Sequence, residues 1–143
     1  MKTATFALSA AVTTVLAWGA AAQEAKPGPA LNLELNAAQP SEKGCRLTFV
    51  VTNDLGADLS KAAFEIALFN EAGVVDRLTV LDFKDLPAGK TKVTRFDLAG
   101  TDCTKLNRVL VNSATECVGT GIEPTACLGQ LKTQTKTPIT FGQ

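Results

Sequence analysis

Hydrophobic and polar residues alternate with a period of two in several short stretches of the chain. In "LNLELN" the residues Leu31, Leu33 and Leu35 share one parity, and the polar residues share the other. The same alternation runs through "CRLTFVVTN" (45–53) and "AFEIALFN" (63–70). Successive side chains of a β-strand point to opposite faces of its sheet, so this pattern predicts half-buried strands.

The rest of the chain continues the β pattern less regularly. Residues 74–83 and 90–98 are rich in β-branched and aliphatic residues but lose the alternation midway, as a bulge or a change of neighbour would cause. Residues 103–112 fit either a helix or a strand, and their β-branched content favours a strand. Residues 132–141 predict the last strand, in which Pro138 fits only an edge or a bulge. Polar, Gly- and Pro-containing turns separate these stretches, so we expect an all-β antiparallel sandwich or barrel.

The first twenty-two residues have the pattern of a cleaved signal peptide. Lys2 precedes an uncharged apolar stretch, and small residues at 20–22 precede a polar segment. The alternative is an uncleaved membrane anchor, since the stretch is nearly long enough to cross a bilayer. We expect cleavage, a flexible segment over 23–29, and one domain over 30–143. The protein is then periplasmic or secreted, and no membrane anchor remains after cleavage.

Removing the signal peptide changes the charge of the chain only slightly. Lys2 leaves with it, so 13 basic residues face 14 acidic ones, a net charge of −1. Binding to nucleic acid or to an anionic membrane needs clustered positive charge. We therefore expect no nucleic-acid partner.

All four cysteines lie in the exported part of the chain: Cys45, Cys103, Cys117 and Cys127. An even number of cysteines in an oxidising compartment predicts two disulfide bonds, with three possible pairings. The chain contains no histidine, which excludes Ser-His-Asp and Cys-His catalysis and the usual zinc and haem sites. No C-x-x-C motif is present, and a four-thiolate metal site lacks the paired cysteine spacing that such sites have. We expect no catalytic residue, no metal and no cofactor.

The stretch 47–98 resembles exported bacterial immunoglobulin-like modules of the FxLyD and CARDB type. A strand ending at Asn53 precedes a loop, a second strand runs into Asn70 and Gly73, and a Leu-x-x-Gly corner (86–89) leads into a strand bearing Phe96. The resemblance covers a little under half of the chain. It implies a seven-strand antiparallel immunoglobulin-like sandwich used for binding or spacing, with no catalytic residues to transfer.

In such a sandwich the order of the strands selects one cysteine pairing. The predicted strands are A (31–37), B (45–53), C (61–70), D (74–83), E (90–98), F (105–113) and G (132–141). Strands B, D and F run in the same direction, so Cys45 at the start of B lies near Cys103 just before F. We therefore expect a Cys45–Cys103 bond across the sheets and a Cys117–Cys127 bond that closes the F–G loop. Both bonds would staple the fold.

The same topology gathers the B–C, D–E and F–G loops at one end. Six carboxylates would lie there: Asp54, Asp58, Asp82, Asp85, Glu116 and Glu123. Clustered oxygen ligands could hold Ca²⁺, or a pair of them could perform acid–base chemistry. No DxDxDG loop supports either role, so we expect a solvated acidic rim.

These observations predict a non-catalytic binding domain for an unknown protein or small ligand of the cell envelope. Its binding surface would be residues 53–60, 84–89 and 113–131, because loops on a rigid scaffold often carry function. The central candidates lie between the two last cysteines: Gly119, Thr120, Gly121, Ile122, Glu123 and Pro124. One alternative is a structural envelope protein that pairs the edge strand 132–141 with a partner. A Ca²⁺-binding protein or a carboxylate-based enzyme is the least supported alternative.

Overall fold

The structure, a computed structural model, describes residues 23–143 and contains eight strands in that range. They are β1 (Ala30–Pro40), β2 (Gly44–Asp54), β3 (Lys61–Asn70), β4 (Val75–Asp82), β5 (Thr91–Ala99), β6 (Leu106–Val118), β7 (Leu131–Thr135) and β8 (Thr140–Gly142). A 3₁₀ turn (Cys103–Lys105) precedes β6, and one short helix, α1 (Ala126–Gly129), precedes β7. The all-β prediction is confirmed.

The predicted signal peptide lies outside the described residues. Residues 23–29 form no helix or strand and are exposed. Among the described residues, no helix is long and apolar enough to span a membrane.

The strands form two four-stranded sheets. The first has the order β5-β2-β1-β7 and the second the order β4-β3-β6-β8. β7 pairs in parallel with β1, and β8 pairs in parallel with β6, whereas the other pairs are antiparallel. Both sheets are therefore mixed, and the predicted fully antiparallel seven-strand arrangement is wrong in this respect.

The additional strand arises because the predicted last strand, 132–141, is two strands. Between β7 and β8 the chain reverses its direction and crosses from the first sheet to the second. Thr hydroxyls stabilise this turn: Thr135 Oγ1 accepts the N–H of Thr137 at 3.0 Å, and Thr137 Oγ1 accepts the N–H of Ile139 at 3.1 Å. Pro138 has no N–H with which to continue a strand ladder.

The predicted alternation is confirmed in the core between the sheets. Leu31, Leu33 and Leu35 of β1 are buried, and their polar neighbours are more exposed. Aromatic rings fill the centre, where Phe83 lies 5.1 Å from Phe96 between ring centroids. Edge-to-face packing of this kind adds about 0.5–1.5 kcal/mol per pair beyond the buried area.

The ambiguous segment 103–112 is a strand from Leu106 onward. Its first three residues form the 3₁₀ turn, for which Asp102 is the N-cap: its carboxylate accepts the N–H of Thr104 at 2.9 Å. β6 extends to Val118, beyond the predicted end at residue 113. The predicted binding loop 113–131 is therefore wrong over residues 113–118, which are strand.

The two disulfide bonds join the predicted pairs. Cys45 at the start of β2 bonds Cys103 before β6, with the Cα atoms 5.0 Å apart. Cys117 near the end of β6 bonds Cys127 in α1, with the Cα atoms 5.8 Å apart. The first bond links the two sheets, and the second closes the connection between β6 and β7.

Candidate binding surface at the loop end

Three loops lie together at one end of the sandwich, which we call the loop end. They are residues 55–60 between β2 and β3, 83–90 between β4 and β5, and 119–130 between β6 and β7. Backbone hydrogen bonds join the first two loops: the N–H of Leu59 donates to the carbonyl of Leu86 at 3.0 Å, and the reverse bond is 2.9 Å. The N–H of Ser60 donates to the carbonyl of Val118 at 2.7 Å, which fastens the first loop to the end of β6.

Asn53, the last buried residue of β2, holds the first two loops in place. Its side chain is fully buried, and its amide nitrogen donates to the carbonyls of Ala57 and Leu86 at 2.9 and 2.8 Å. Its amide oxygen accepts the N–H of Leu55 at 3.0 Å. Only Asn or Gln offers both donors and an acceptor in one planar group, so this residue type suits the position.

Gly119 allows the third loop to pack closely against the first. A Cβ atom at this position would lie 2.3 Å from the backbone oxygen of Asp58, a separation that real side chains do not show. The carboxylate of Asp58 in turn accepts the N–H of Ala88 at 2.7 Å. Glycine is therefore required here for close approach of two backbones.

Some of the predicted binding residues 119–124 anchor the loop to the core, and others have exposed side chains. Ile122 is partly buried and packs against the core, so its side chain anchors the loop. Its N–H donates to the carbonyl of Gly119 at 3.1 Å, which forms a tight turn with Gly121 at a φ of 75°. The side chains of Thr120, Glu123 and Pro124 remain exposed and available to a partner.

Most carboxylates of the loop end are individually satisfied by one neighbour. Asp82 pairs with Lys84 at 2.8 Å, Glu116 with Lys61 at 2.9 Å, and Asp85 with Lys92 at 3.5 Å. Asp54 accepts a hydrogen bond from Asn32 at 2.8 Å, and Asp58 accepts one from a backbone N–H. Over residues 23–143, no three carboxylate or thiol groups converge as a metal site would require. The carboxylates are spread along the rim of the loop end.

The ion pairs of this rim shift pKa values in the directions that pairing predicts. Hydrogen bonds from the side chain and the N–H of Lys84 hold the pKa of Asp82 below its usual value. The hydrogen bond from Lys61 to Glu116 raises the pKa of Lys61. Lys84 has a φ of 63°, the one positive value among the described non-glycine residues, and such backbone strain is often found at functional sites.

A concave surface lies between the three loops. Its volume is about 440 Å³. It is lined by residues of all three loops: Ala57, Asp58, Leu59, Ser60, Asp85, Pro87, Gly119 and Thr120. Concavities of roughly 300–1,000 Å³ accommodate small ligands or protruding side chains.

A cavity of about 630 Å³ lies at the opposite end of the sandwich, beside Asn36–Pro40 and the β7–β8 turn. No local sequence pattern indicates this second cavity, because it depends on where β7 leaves β1.

No known protein family model, curated protein or solved structure matches this chain. The resemblance of residues 47–98 to FxLyD and CARDB modules therefore stays a prediction.

Proposed function

We propose that the protein is a non-catalytic binding domain, exported to the periplasm or secreted, that recognises an envelope protein or small ligand through its loop end. One observation carries this proposal: backbone hydrogen bonds join the first two loops, Gly119 lets the third loop pack against the first, and the three loops leave exposed side chains around a shared concavity. A surface that is already ordered loses little conformational entropy when it binds.

The Cys117–Cys127 bond supports the same role. It closes a loop of nine residues, and Ile122 fixes the middle of that loop to the core. Thr120 and Glu123 are therefore presented on a restrained backbone. A loop that only connected β6 to β7 would not need two such constraints.

An immunoglobulin-like strand order is part of this proposal. The orders β5-β2-β1 and β4-β3-β6 suit an immunoglobulin-like sandwich, in which B–F inter-sheet disulfides also occur. β4 lies beside β3, whereas the fourth strand of a constant-type immunoglobulin domain lies in the sheet of the fifth. The two disulfides are compatible with an oxidising compartment.

The alternative role for an edge strand at 132–141 loses support. That segment is divided into strands of five and three residues that belong to different sheets. A partner strand could therefore not pair with 132–141 as one continuous edge. The Ca²⁺ alternative also lacks a group of three or more converging acidic side chains among residues 23–143.

Site-specific photo-crosslinking tests the proposed function in the producing cells. p-Benzoylphenylalanine is placed at Thr120 or Glu123, and at the exposed positions Asn112 and Lys132 as controls. We expect a discrete adduct from the first two positions and none from the controls. Equal adducts from all four positions, or adducts only from the controls, would contradict the proposal.

A further inference from the structure

β1 loses one of its two neighbouring strands halfway along its length. β7 pairs with β1 only over 31–35, and the last hydrogen bond runs from the N–H of Lys136 to the carbonyl of Leu35 at 2.9 Å. Beyond a bulge at Asn36, residues 37–40 pair with β2 alone. Alternate residues of a strand direct their N–H and C=O groups to opposite sides, so part of this backbone faces no strand partner.

The cavity of about 630 Å³ lies directly beside this unpaired edge. Its walls are residues 36–40 of β1, the turn 136–139, and the start of β6 at Leu106 and Asn107. β8 pairs with β6 only from Arg108 onward, so the first residues of β6 also lack a neighbour on this side. We call this space the β1 groove.

The floor and the rim of the β1 groove differ in character. Leu106 and Ile139 form an apolar floor and are 8% and 6% exposed. Lys136 and Glu71 lie exposed on the rim, and within residues 23–143 neither forms an ion pair. The groove therefore combines a free strand edge, an apolar floor and one unpaired charge of each sign.

We propose that the β1 groove binds an extended polypeptide segment of a partner protein, which adds a strand beside residues 37–40. The ligand is a polypeptide because a free strand edge offers a ladder of donors and acceptors that only another backbone matches along its length. Pro40 lacks an N–H, so the pairing ends there. An aliphatic side chain of the bound segment contacts Leu106 and Ile139, and an acidic side chain lies near Lys136.

Charge selects among such segments. The ammonium of Lys136 attracts an acidic residue of the bound strand, and Glu71, which also lines the groove, disfavours a second one. The bound segment is thus an alternating, partly aliphatic peptide with a single acidic residue. This site is independent of the loop end, because it lies at the other end of the sandwich.

Selection from random nine-residue peptides displayed on phage, with the oxidised protein as target, tests the proposal. The enriched peptide is synthesised, and its affinity is measured by fluorescence anisotropy. We expect enrichment of alternating aliphatic sequences with one acidic residue and a shift of the NMR amide signals of residues 37–39. Two N-methylated peptides are then compared, one methylated at its odd-numbered amides and one at its even-numbered amides, which are the two phases of the alternation. Methylation should weaken binding at least about tenfold in one phase and less than about twofold in the other.

Two variants of one strand provide the matched comparison. Asn107→Trp fills the groove and should weaken binding at least about tenfold, whereas Asn112→Trp, on the same strand outside the groove, should change it less than about twofold. Lys136→Glu should reverse the preference for an acidic peptide residue. The proposal is overturned by a lack of enrichment, by equal effects of the two Trp variants, or by insensitivity to N-methylation in both phases. Loss of binding on Thr120→Arg would place the peptide at the loop end and also overturn it.

Discussion

At the scale of single residues, Asn53 holds two loops of the loop end in position. It is fully buried and makes three hydrogen bonds to backbone groups of two loops. An aspartate would offer only acceptors to the two carbonyls that Asn53 now satisfies. The side chain is small, but the positions of both loops depend on it.

We expect Asn53→Ala to lower the free energy of unfolding by about 2–4 kcal/mol, because it removes the Asn53 partners of the Ala57 carbonyl and the Leu55 N–H and one of the two hydrogen bonds to the Leu86 carbonyl. Urea denaturation monitored by circular dichroism measures the change. Asn32→Ala removes the exposed hydrogen bond to Asp54 and should cost less than about 1 kcal/mol. Equal losses in the two variants would show that Asn53 has no special role.

Gly119 offers a second test at this scale. In Gly119→Ala the new Cβ would meet the backbone oxygen of Asp58, so the third loop must move away from the first. We expect a loss of about 1–3 kcal/mol in the free energy of unfolding, comparable to overpacking. Gly129→Ala is the control, since the residue is helical and no atom outside its chain neighbours and its own helix backbone lies within 4 Å of its Cβ position. A stable Gly119→Ala protein with unchanged loop amide shifts would refute this interpretation.

At the scale of elements, the sequence predicts the strands better than their ends. Alternation locates β1 and β2 because one face of each is buried and the other is more exposed. It also locates β3, although Ala63 and Ala67 on its outer face are buried as well. It fails at 132–141, where hydroxyl-stabilised turns and Pro138 divide one alternating stretch into two strands. The bulge at Asn36 and the close contact at Gly119 depend on residues distant in sequence, so no local pattern reveals them.

The disulfide bonds permit a prediction for the elements that they join. By the loop-entropy model, Cys45→Ala with Cys103→Ala should cost about 4 kcal/mol, and Cys117→Ala with Cys127→Ala about 3 kcal/mol. We expect the second double variant to keep the folded core, because β6 and β7 retain their ladders. Urea denaturation gives both values, and hydrogen exchange should show faster exchange confined to 119–130 in the second variant. Global unfolding of that variant would contradict the separation of loop and core.

At the scale of the whole molecule, the chain has no side chain whose ordinary pKa is near neutral. It contains no histidine or tyrosine, and all four cysteines are in disulfide bonds. At lower pH, hydrogen bonds from Lys84, from Arg46 and from Thr104 hold the pKa values of Asp82, Asp97 and Asp102 below their usual value. A carboxyl group with a depressed folded-state pKa stabilises the fold above its unfolded pKa, and this stabilisation is lost as the pH falls through the folded value.

We therefore expect the melting temperature to be constant between about pH 5 and 8 and to fall below about pH 4. Differential scanning calorimetry across this range measures it. Asp97→Asn should flatten the acidic limb because it removes one of the three shifted groups. A transition centred near pH 6–7 would contradict the account, because no side chain of this protein has its ordinary pKa there.

The proposed function places the binding surface at the loop end. Isothermal titration calorimetry with the partner identified by crosslinking tests it most directly, using the parent protein, a Thr120→Arg/Glu123→Arg variant and the groove variant Asn107→Trp. We predict that the loop variant weakens binding at least about tenfold, while the groove variant changes it less than about twofold. Unchanged affinity of the loop variant, with a melting temperature equal to that of the parent, would contradict the claim.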